Sequence, residues 1–219
     1  MTAADFTRPG AWRELLAQAL TLTDHLERVV RDPVWSFGGG TVLMLRLNHR
    51  HSKDIDLFVP DPQYLGHFSP RLTEAAEALT TQYHEAAEHL KLLLPSGEID
   101  IVVGTPLTDA AWENAQYLGR RFRVESCAEI IAKKMHYRGH LAKARDLFDL
   151  CAVAELEPEA IKLARPFFPQ HSQAFLKRLH DYRDLTRTEF EKIDRLAYER
   201  SFDDCMGLAE QVRFGKAVG

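Results

Sequence analysis

Apolar residues recur at helical spacing between residues 11 and 30, where leucines and valines return every three to four positions. This spacing puts them on one helix face and predicts an amphipathic helix. Shorter apolar runs bounded by glycine, proline or polar residues predict strands. The elements predicted next are a strand at 34–37, a helix at 41–47, a strand at 54–59, a helix at 72–83, a hairpin whose second strand is 98–103, and a strand at 120–126.

The pattern changes near residue 125. Everything after Ser126 reads as helix, with breaks near Pro158, Pro166 and Pro169. The predicted fold class is therefore α/β (α+β): a mixed sheet flanked by helices, followed by a C-terminal helical bundle. We expect an α/β domain over residues 1–124 and a helical domain over residues 125–219.

Composition narrows the functional classes only a little. The chain has 219 residues, is 45% hydrophobic and carries a net charge of −4, which gives no general argument for nucleic acid or membrane binding. No apolar run approaches the roughly 20 residues that a membrane helix needs, and residues 1–10 do not resemble a signal peptide. Three scattered cysteines, Cys127, Cys151 and Cys205, suggest neither a disulfide framework nor a zinc site. We therefore expect a cytoplasmic protein without a membrane partner.

Two acidic residues interrupt the strand at 54–59. Asp54 and Asp56 are two positions apart and share one face, so their carboxylates repel each other unless a cation lies between them. Mg²⁺ or Mn²⁺ resolves that conflict because both prefer oxygen ligands. Asp100 lies on the second hairpin strand and completes a three-carboxylate metal site if the two strands are neighbours. The alternative is that the two aspartates lie on the solvated face of an edge strand.

Gly39 and Gly40 stand between a predicted strand and a predicted helix. Backbone N–H groups at such a turn can approach a polyphosphate, and the helix dipole favours the anion. A tight strand-to-helix turn also needs glycine for purely conformational reasons. The combination of strand, glycine turn, helix, polar loop and paired aspartates favours a nucleotide site. Arg50, which His49 and His51 flank in that loop, is the expected phosphate-facing charge.

The matching positions of this region form the pattern "GGT…L.HR.S.DIDLF", which resembles the DNA polymerase β-like nucleotidyltransferase superfamily. More narrowly it is similar to the AbiEii toxins of type IV toxin–antitoxin systems, which act in phage defence. The resemblance implies an NTP held by Gly39, Gly40, Thr41 and Ser52, with Mg²⁺ on the aspartates. It also implies transfer of a nucleoside monophosphate to tRNA and a cognate DNA-binding antitoxin.

The segment "ESCAEIIAKKMHYRGHLAKARDLFDL" (125–150) is similar to the helical motifs of the same family. Ser126 and Glu129 form a capping box, which predicts a helix start there. At about 100° per residue, Lys134 falls within the apolar stripe, whereas Lys133 points away. A lysine in a buried stripe needs an anion, which the triphosphate or the aspartates could supply. The alternatives are that Lys134 extends past the core to solvent or pairs with Asp146.

Asp146 flanks the apolar stripe of the next helix, and Asp149 lies further round. We expect Asp146 to be the functional carboxylate, which either orients Lys134 or acts as a general base. A structural salt bridge is the alternative role for Asp146, and the choice between Asp146 and Asp149 stays open. The basic residues of the C-terminal helices alternate with acidic ones, which is typical of a solvated face, although such a face could also bind an RNA acceptor.

The leading hypothesis is therefore a metal-dependent nucleotidyltransferase in which Asp54, Asp56, Lys134 and Asp146 are catalytic. A second hypothesis keeps the chemistry but changes the acceptor to a small hydroxyl compound or a protein side chain. A third, of another class, is a non-catalytic nucleotide-binding module.

Overall fold

The computed structural model describes residues 2–168 and 171–213. In chain order the strands are β1 (Ser36–Gly38), β2 (Ile55–Val59), β3 (Tyr83–Ala86), β4 (His89–Leu94), β5 (Gly97–Val103), β6 (Trp112–Tyr117) and β7 (Arg120–Glu125). The helices are α1 (Trp12–Val29), α2 (Gly39–Leu47), α3 (Glu74–Glu77), α4 (Cys127–Arg138), α5 (Ala144–Leu156), α6 (Pro158–Ala164), α7 (Ser172–Asp181), α8 (Arg183–Glu191) and α9 (Phe202–Arg213). Short 3-10 turns occupy Pro62–His67, Gly139–Leu141 and Arg165–Phe167.

The strands form one mixed sheet in the order β3-β4-β5-β2-β1-β7-β6. The β2–β5 and β1–β7 pairs are parallel and the other neighbours are antiparallel. The predicted fold class is confirmed: the sheet ends at Glu125, and the described residues beyond it are mainly helical. Two registers matter for the site. Asp56 is level with Asp100 on β5 and with Gly38 on β1.

Strand β2 alternates as its sequence predicts. Ile55, Leu57 and Val59 are buried, while Asp56 and Phe58 face the half-exposed side. Helix α1 buries its leucine face against the sheet, and helix α2, which connects β1 to the polar loop, is buried along most of its length. A single hydrophobic cluster joins the sheet to the C-terminal helices. The face of β2 that carries Asp56 is therefore the less buried one, and it lies between the sheet and the C-terminal helices.

The sequence prediction is wrong in two places. The predicted helix at 72–83 is reduced to the four residues of α3 and is followed by the edge strand β3. Strand β3 exposes most of its side chains and forms through its backbone pairing with β4, so no apolar alternation marks it. Strand β6 was not predicted, because its half-exposed residues also lack a clear period. Pro169 lies outside the described residues.

Two expectations from composition can be compared with the structure. Cys127, Cys151 and Cys205 are free thiols, and all three are buried. Within residues 2–168 and 171–213, no helix combines the length and the apolar character needed to cross a membrane.

Candidate active site

A cavity of about 400 Å³ lies between the carboxylate face of the sheet, the start of α2 and the side of α4. Most of the residues predicted for the site line this cavity: Gly39, Gly40, Arg50, Ser52, Asp54, Asp56, Asp100 and Lys134. Thr41 and Asp146 are buried behind it. Residues separated by up to 95 positions in the chain thus meet in one cleft.

The glycine turn forms one end of the cleft. Gly39 has a φ of +72°, which L-residues rarely adopt, and a Cβ there would overlap the Asp56 carboxylate. A Cβ on Gly40 would lie 2.8 Å from Nη2 of Arg50. No side chain caps the helix at Gly38. The first-turn N–H groups of α2 therefore lie beside the Asp56 carboxylate and the Arg50 guanidinium, where they can bind an anion.

Thr41 ties this turn to the loop that follows. Its hydroxyl donates to the carbonyl oxygen of Asp54 at 2.6 Å and lies 3.0 Å from the Ser52 hydroxyl. The side chain is fully buried, so the structure directs it to the protein instead of the cavity. Asp54 in turn accepts a hydrogen bond from the Glu98 backbone N–H at 3.2 Å. Thr41 thereby fixes the relative positions of Ser52 and Asp54.

The Asp56 carboxylate is packed in the protein without a directly bound positive partner. Burial and the negative charge of Asp100 raise the pKa of Asp56 to about 6, although Lys134, Arg145 and Arg138 oppose the shift. Among the described residues, none donates a hydrogen bond to this carboxylate or forms an ion pair with it. An unpaired carboxylate beside a second one is what a bound cation would stabilise.

Asp100 has partners of its own. His89 Nε2 and Lys91 Nζ each lie 3.0 Å from its oxygens, and Lys91 also pairs with Glu98. In the described part of the chain, no group of three or more His, Cys, Asp or Glu side chains is arranged to hold a metal ion. The oxygen donors of Asp54 and Asp56 fit Mg²⁺ or Mn²⁺ chemically. Both oxygens of Asp100 therefore already have side-chain partners, which any role as a third metal ligand would have to share or replace.

A buried charge cluster anchors the loop to α5. Asp149 is fully buried and receives hydrogen bonds from Arg50 Nε (2.6 Å) and Arg50 Nη2 (2.8 Å), while His49 Nε2 lies 2.8 Å away and Lys134 Nζ 3.0 Å away. Burial would raise the pKa of Asp149, but Arg50 and Lys134 hold it well below its usual range. Burial also lowers the pKa of His49, so the ring is neutral. Arg50, predicted to face phosphate, lines the cavity while bound to Asp149.

Lys134 connects that cluster to the cavity. Its ammonium lies 2.6 Å from Asp146 Oδ1, and Asp146 is buried with Oδ2 3.1 Å from the Lys143 backbone N–H that donates to it. Burial would raise the pKa of Asp146, but Lys134 and Arg138 lower it. Both aspartates therefore stay ionised and fix Lys134 from behind, so the salt bridge considered for Asp146 is present.

A second buried ion cluster, which the sequence pattern did not predict, lies around Lys133 on α4. Lys133 was expected to point away from the core, yet it is only 5% exposed and its Nζ lies 2.6 Å from Glu125 and 3.4 Å from Glu129. The same ammonium lies 3.9 Å from the centre of the Phe58 ring. Burial raises the pKa of Glu125, whose Oε2 has no hydrogen-bond partner in the described residues. Lys133, Glu125 and Phe58 all line the cavity.

Comparisons with known proteins agree with this geometry. The model of the family described as "Nucleotidyl transferase AbiEii toxin, Type IV TA system" matches residues 21–218. The solution structure of the antibiotic-resistance factor ANT(2'')-Ia shares 17% identity, with a TM-score of 0.52, over 77% of this chain and 98% of that chain. The crystal structure of JHP933 from Helicobacter pylori shares 15% identity, with a TM-score of 0.51, over 94% of each chain. ANT(2")-Ia in complex with adenylyl-2"-tobramycin shares 19% identity, with a TM-score of 0.50, over 70% of this chain and 95% of that chain. No curated protein sequence matches the chain.

Proposed function

The chain belongs to the AbiEii family of nucleotidyltransferase toxins, and on that premise we propose that it transfers a nucleoside monophosphate from an NTP to tRNA in a reaction that needs Mg²⁺ or Mn²⁺. The hypothesis of a non-catalytic module is set aside, because the family and its structural neighbours are nucleotidyltransferases. The acceptor, the metal and the roles of individual residues are the parts that we propose here.

One observation carries the proposal. The Asp56 carboxylate packs directly on the backbone of Gly39, where any Cβ would overlap it. A phosphate bound to the N–H groups at the start of α2 would therefore lie next to the Asp56 carboxylate, and a cation between the two anions makes that arrangement favourable. Anion-binding backbone and cation-binding oxygens in contact are the two parts that a triphosphate with its metal requires.

The reaction can be written from these parts. The acceptor hydroxyl oxygen forms a bond to the α-phosphorus of the NTP, and the bond to the bridging oxygen breaks. Pyrophosphate leaves with that electron pair, while the hydroxyl proton passes to a cavity carboxylate. A divalent metal bound to Asp54 and Asp56 would neutralise charge on the phosphates. The first turn of α2 and the Ser52 hydroxyl orient the triphosphate, so positioning supplies much of the rate.

Lys134 provides fixed positive charge at the same place. Asp146 and Asp149 hold its ammonium at 2.6 and 3.0 Å, so the side chain cannot swing away from the cavity wall that it lines. A preorganised cation stabilises charge that develops on the phosphates more effectively than one that must reorganise. We assign Asp146 the role of orienting Lys134, and not that of the general base, because its pKa is lowered and its oxygens are already engaged.

The biological setting follows from the family. We propose that the protein is the cytoplasmic toxin of a type IV toxin–antitoxin pair that acts in phage defence, with a DNA-binding antitoxin as its partner. We also propose that residues 1–124 form the nucleotide-binding domain and that residues 125–219 contribute Lys134 and Asp146 to the cleft. A neighbouring gene for a winged-helix protein would support the first of these proposals.

The experiment that tests the activity uses α-labelled NTP, divalent metal and purified tRNA. Wild type should incorporate label, and Asp56→Ala should abolish incorporation while keeping the wild-type circular dichroism spectrum. Asp109→Ala is the control, because Asp109 is an exposed loop residue outside the cavity. Full activity of the Asp56→Ala protein would remove this site from the reaction.

The acceptor is tested separately in a cell lysate. After incubation with labelled NTP, the RNA, protein and small-molecule fractions are separated and counted. We expect the label in RNA of tRNA size. Label confined to the protein or small-molecule fraction would keep the chemistry and replace the acceptor.

A further inference from the structure

A second cavity, of about 440 Å³, lies where the start of α5 meets α7 and α8. Its polar lining is mainly basic: Lys143, Arg145, Arg178 and Lys192, with Glu189 as the acidic side chain among its described residues. Glu189 is paired, with one oxygen 2.7 Å from Lys192 Nζ. The chain as a whole carries a net charge of −4, so this positive surface runs against the overall composition.

Two of these cations have no counter-ion. The side chains of Lys143 and Arg145 are exposed and form no ion pair with any residue in the described ranges. Burial, followed by the positive charges of Arg145 and Arg138, lowers the pKa of Lys143. Like charges held together without a partner favour an anionic ligand.

The two cavities are connected through Arg145, which lines both of them. Arg138 lines the first cavity from the end of α4, with Nη2 3.9 Å from Asp146. A row of cations therefore runs from the paired aspartates past Arg145 and into the second cavity. At the far wall, Tyr182 is half exposed, and the Arg178 guanidinium lies 4.7 Å from the centre of its ring.

We propose that the second cavity binds the phosphate backbone of an RNA acceptor whose 3′ end enters the first cavity. The inference rests on the proposed function, since it assigns a site to the acceptor of that reaction. A free nucleotide carries its phosphates in one group, whereas a polynucleotide presents phosphates at intervals and can occupy both cavities at once. The Tyr182 ring offers a surface on which an unpaired base can stack.

A few contacts between phosphates and the basic residues of the second cavity are enough to contribute to RNA binding. Each phosphate neutralised by a lysine or arginine releases counterions, so binding weakens as salt rises, with a slope of about −0.7 per contact for single strands. This electrostatic affinity does not read the base sequence. Any preference of the protein for a particular RNA sequence or structure would then come from the part of the RNA that fits the first cavity.

The test measures binding of an equimolar pool of fluorescein-labelled tRNA transcripts by fluorescence anisotropy, between roughly 50 and 200 mM salt. Lys143→Glu with Lys192→Glu should weaken binding roughly tenfold or more and make the salt slope shallower by about 1.4 units, about 0.7 for each of the two contacts. Lys162→Glu with Lys177→Glu is the control that makes the same change in net charge: the two lysines are 64% and 70% exposed, pair with Glu159 and Asp181 at 2.5 Å, and line neither cavity. It should leave the tRNA affinity within about twofold of wild type, since only uniform long-range charge changes.

A second measurement separates this inference from the proposed function. Binding of a non-hydrolysable NTP with Mg²⁺, followed by calorimetry, should be unchanged in the Lys143→Glu, Lys192→Glu protein and lost in Asp56→Ala. If the tRNA affinity of the double variant equals that of the control, or if wild type binds no tRNA, the second cavity is not an RNA site. Loss of binding to a protein partner, with tRNA affinity equal to that of the control, would also mean that the second cavity is not an RNA site. If instead Asp56→Ala still transfers nucleotide, the proposed active site fails while the RNA site stands on its own binding data.

Discussion

Arg50 binds Asp149 with two nearly parallel hydrogen bonds, Nε to Oδ1 at 2.6 Å and Nη2 to Oδ2 at 2.8 Å, and both side chains are buried. This pair joins the loop before β2 to helix α5, and it lies beside Gly40, where phosphate is proposed to bind. The contact therefore stabilises the fold and also positions Arg50 in the cleft. Its effect on stability can be measured separately.

Arg50→Lys should destabilise the protein by about 1–3 kcal/mol, because lysine keeps the charge but cannot form both bonds in the buried site. Chemical denaturation measures the difference. Arg187→Lys is the matched control, since Arg187 makes the same two-point contact with Asp203 on the surface, at 2.8 and 3.0 Å. The control should lose less stability than Arg50→Lys, because solvent screens the exposed pair. Equal losses would mean that burial does not decide the strength of the Arg50 contact.

Asp146→Asn and Asp149→Asn should have different effects. Asp149→Asn leaves Arg50 without its buried counter-ion and should cost about 3–5 kcal/mol of stability. Asp146→Asn should lower kcat by about 100-fold or more with a smaller stability loss, since Lys134 loses its closest partner while Asp149 still holds it. Unfolding curves and steady-state rates on the two proteins decide the matter. A large stability loss with normal kcat for Asp146→Asn would make Asp146 a structural residue.

Gly39→Ala should abolish nucleotidyl transfer, because its Cβ would displace Asp56. Gly119→Ala is a matched control for backbone strain: Gly119 has a φ of +76°, close to the +72° of Gly39, but nothing lies within 4 Å of its added Cβ. Both variants should lose about 1–2 kcal/mol of stability from the left-handed conformation. Only the first should lose activity in the labelled-NTP assay. Retained activity in Gly39→Ala would show that Asp56 tolerates displacement.

Acid should destabilise the protein through His49 before Asp146 and Asp149, whose pKa values are lowered, take up protons. Burial lowers the pKa of His49 in the folded state, so below the ordinary value of 6.5 the unfolded chain binds a proton that the folded one does not. The contribution of His49 to stability should therefore fall by up to about 1.4 kcal/mol per pH unit as pH drops from about 6.5 toward 5. Asp56, whose pKa is raised to about 6, binds its proton in the folded state and offsets part of this loss below about pH 6. The lowered pKa values of Asp146 and Asp149 add losses only below their ordinary value of 3.8.

Denaturation at about pH 7.5, 6 and 5 measures this slope. His49→Gln should flatten it, and His51→Gln, which removes an exposed imidazole from the same loop, is the matched control. A slope that His49→Gln leaves unchanged would assign the acid sensitivity to other groups.

Local pattern was enough to predict most of the cleft. Asp54, Asp56 and the glycine turn lie within 18 positions of each other, and strand periodicity alone puts both aspartates on one face. Asp100 required only that the hairpin lie beside β2, which the register of Asp56 with Asp100 confirms. Their catalytic and metal-binding roles stay predictions.

The charge clusters could not be predicted in the same way. His49 and Asp149 are 100 positions apart, and no local signal distinguishes a buried histidine from one in a solvated loop. Lys133 was misread because helical phase predicts exposure only when one side of a helix meets solvent. Helix α4 is buried continuously from Cys127 to Lys133, so both sides carry packed residues. A lysine on the side of α4 opposite the apolar stripe can therefore be as buried as the stripe itself.

The contact between Gly39 and Asp56 also limits how this protein could evolve resistance to an inhibitor. A compound that mimics a triphosphate would bind main-chain N–H groups, which only a substitution to proline removes. Adding a side chain at Gly39 would obstruct the compound only by displacing a carboxylate on which we propose the reaction depends. Escape variants should consequently arise on the α4 side of the cleft, around Tyr137, where side chains form the surface.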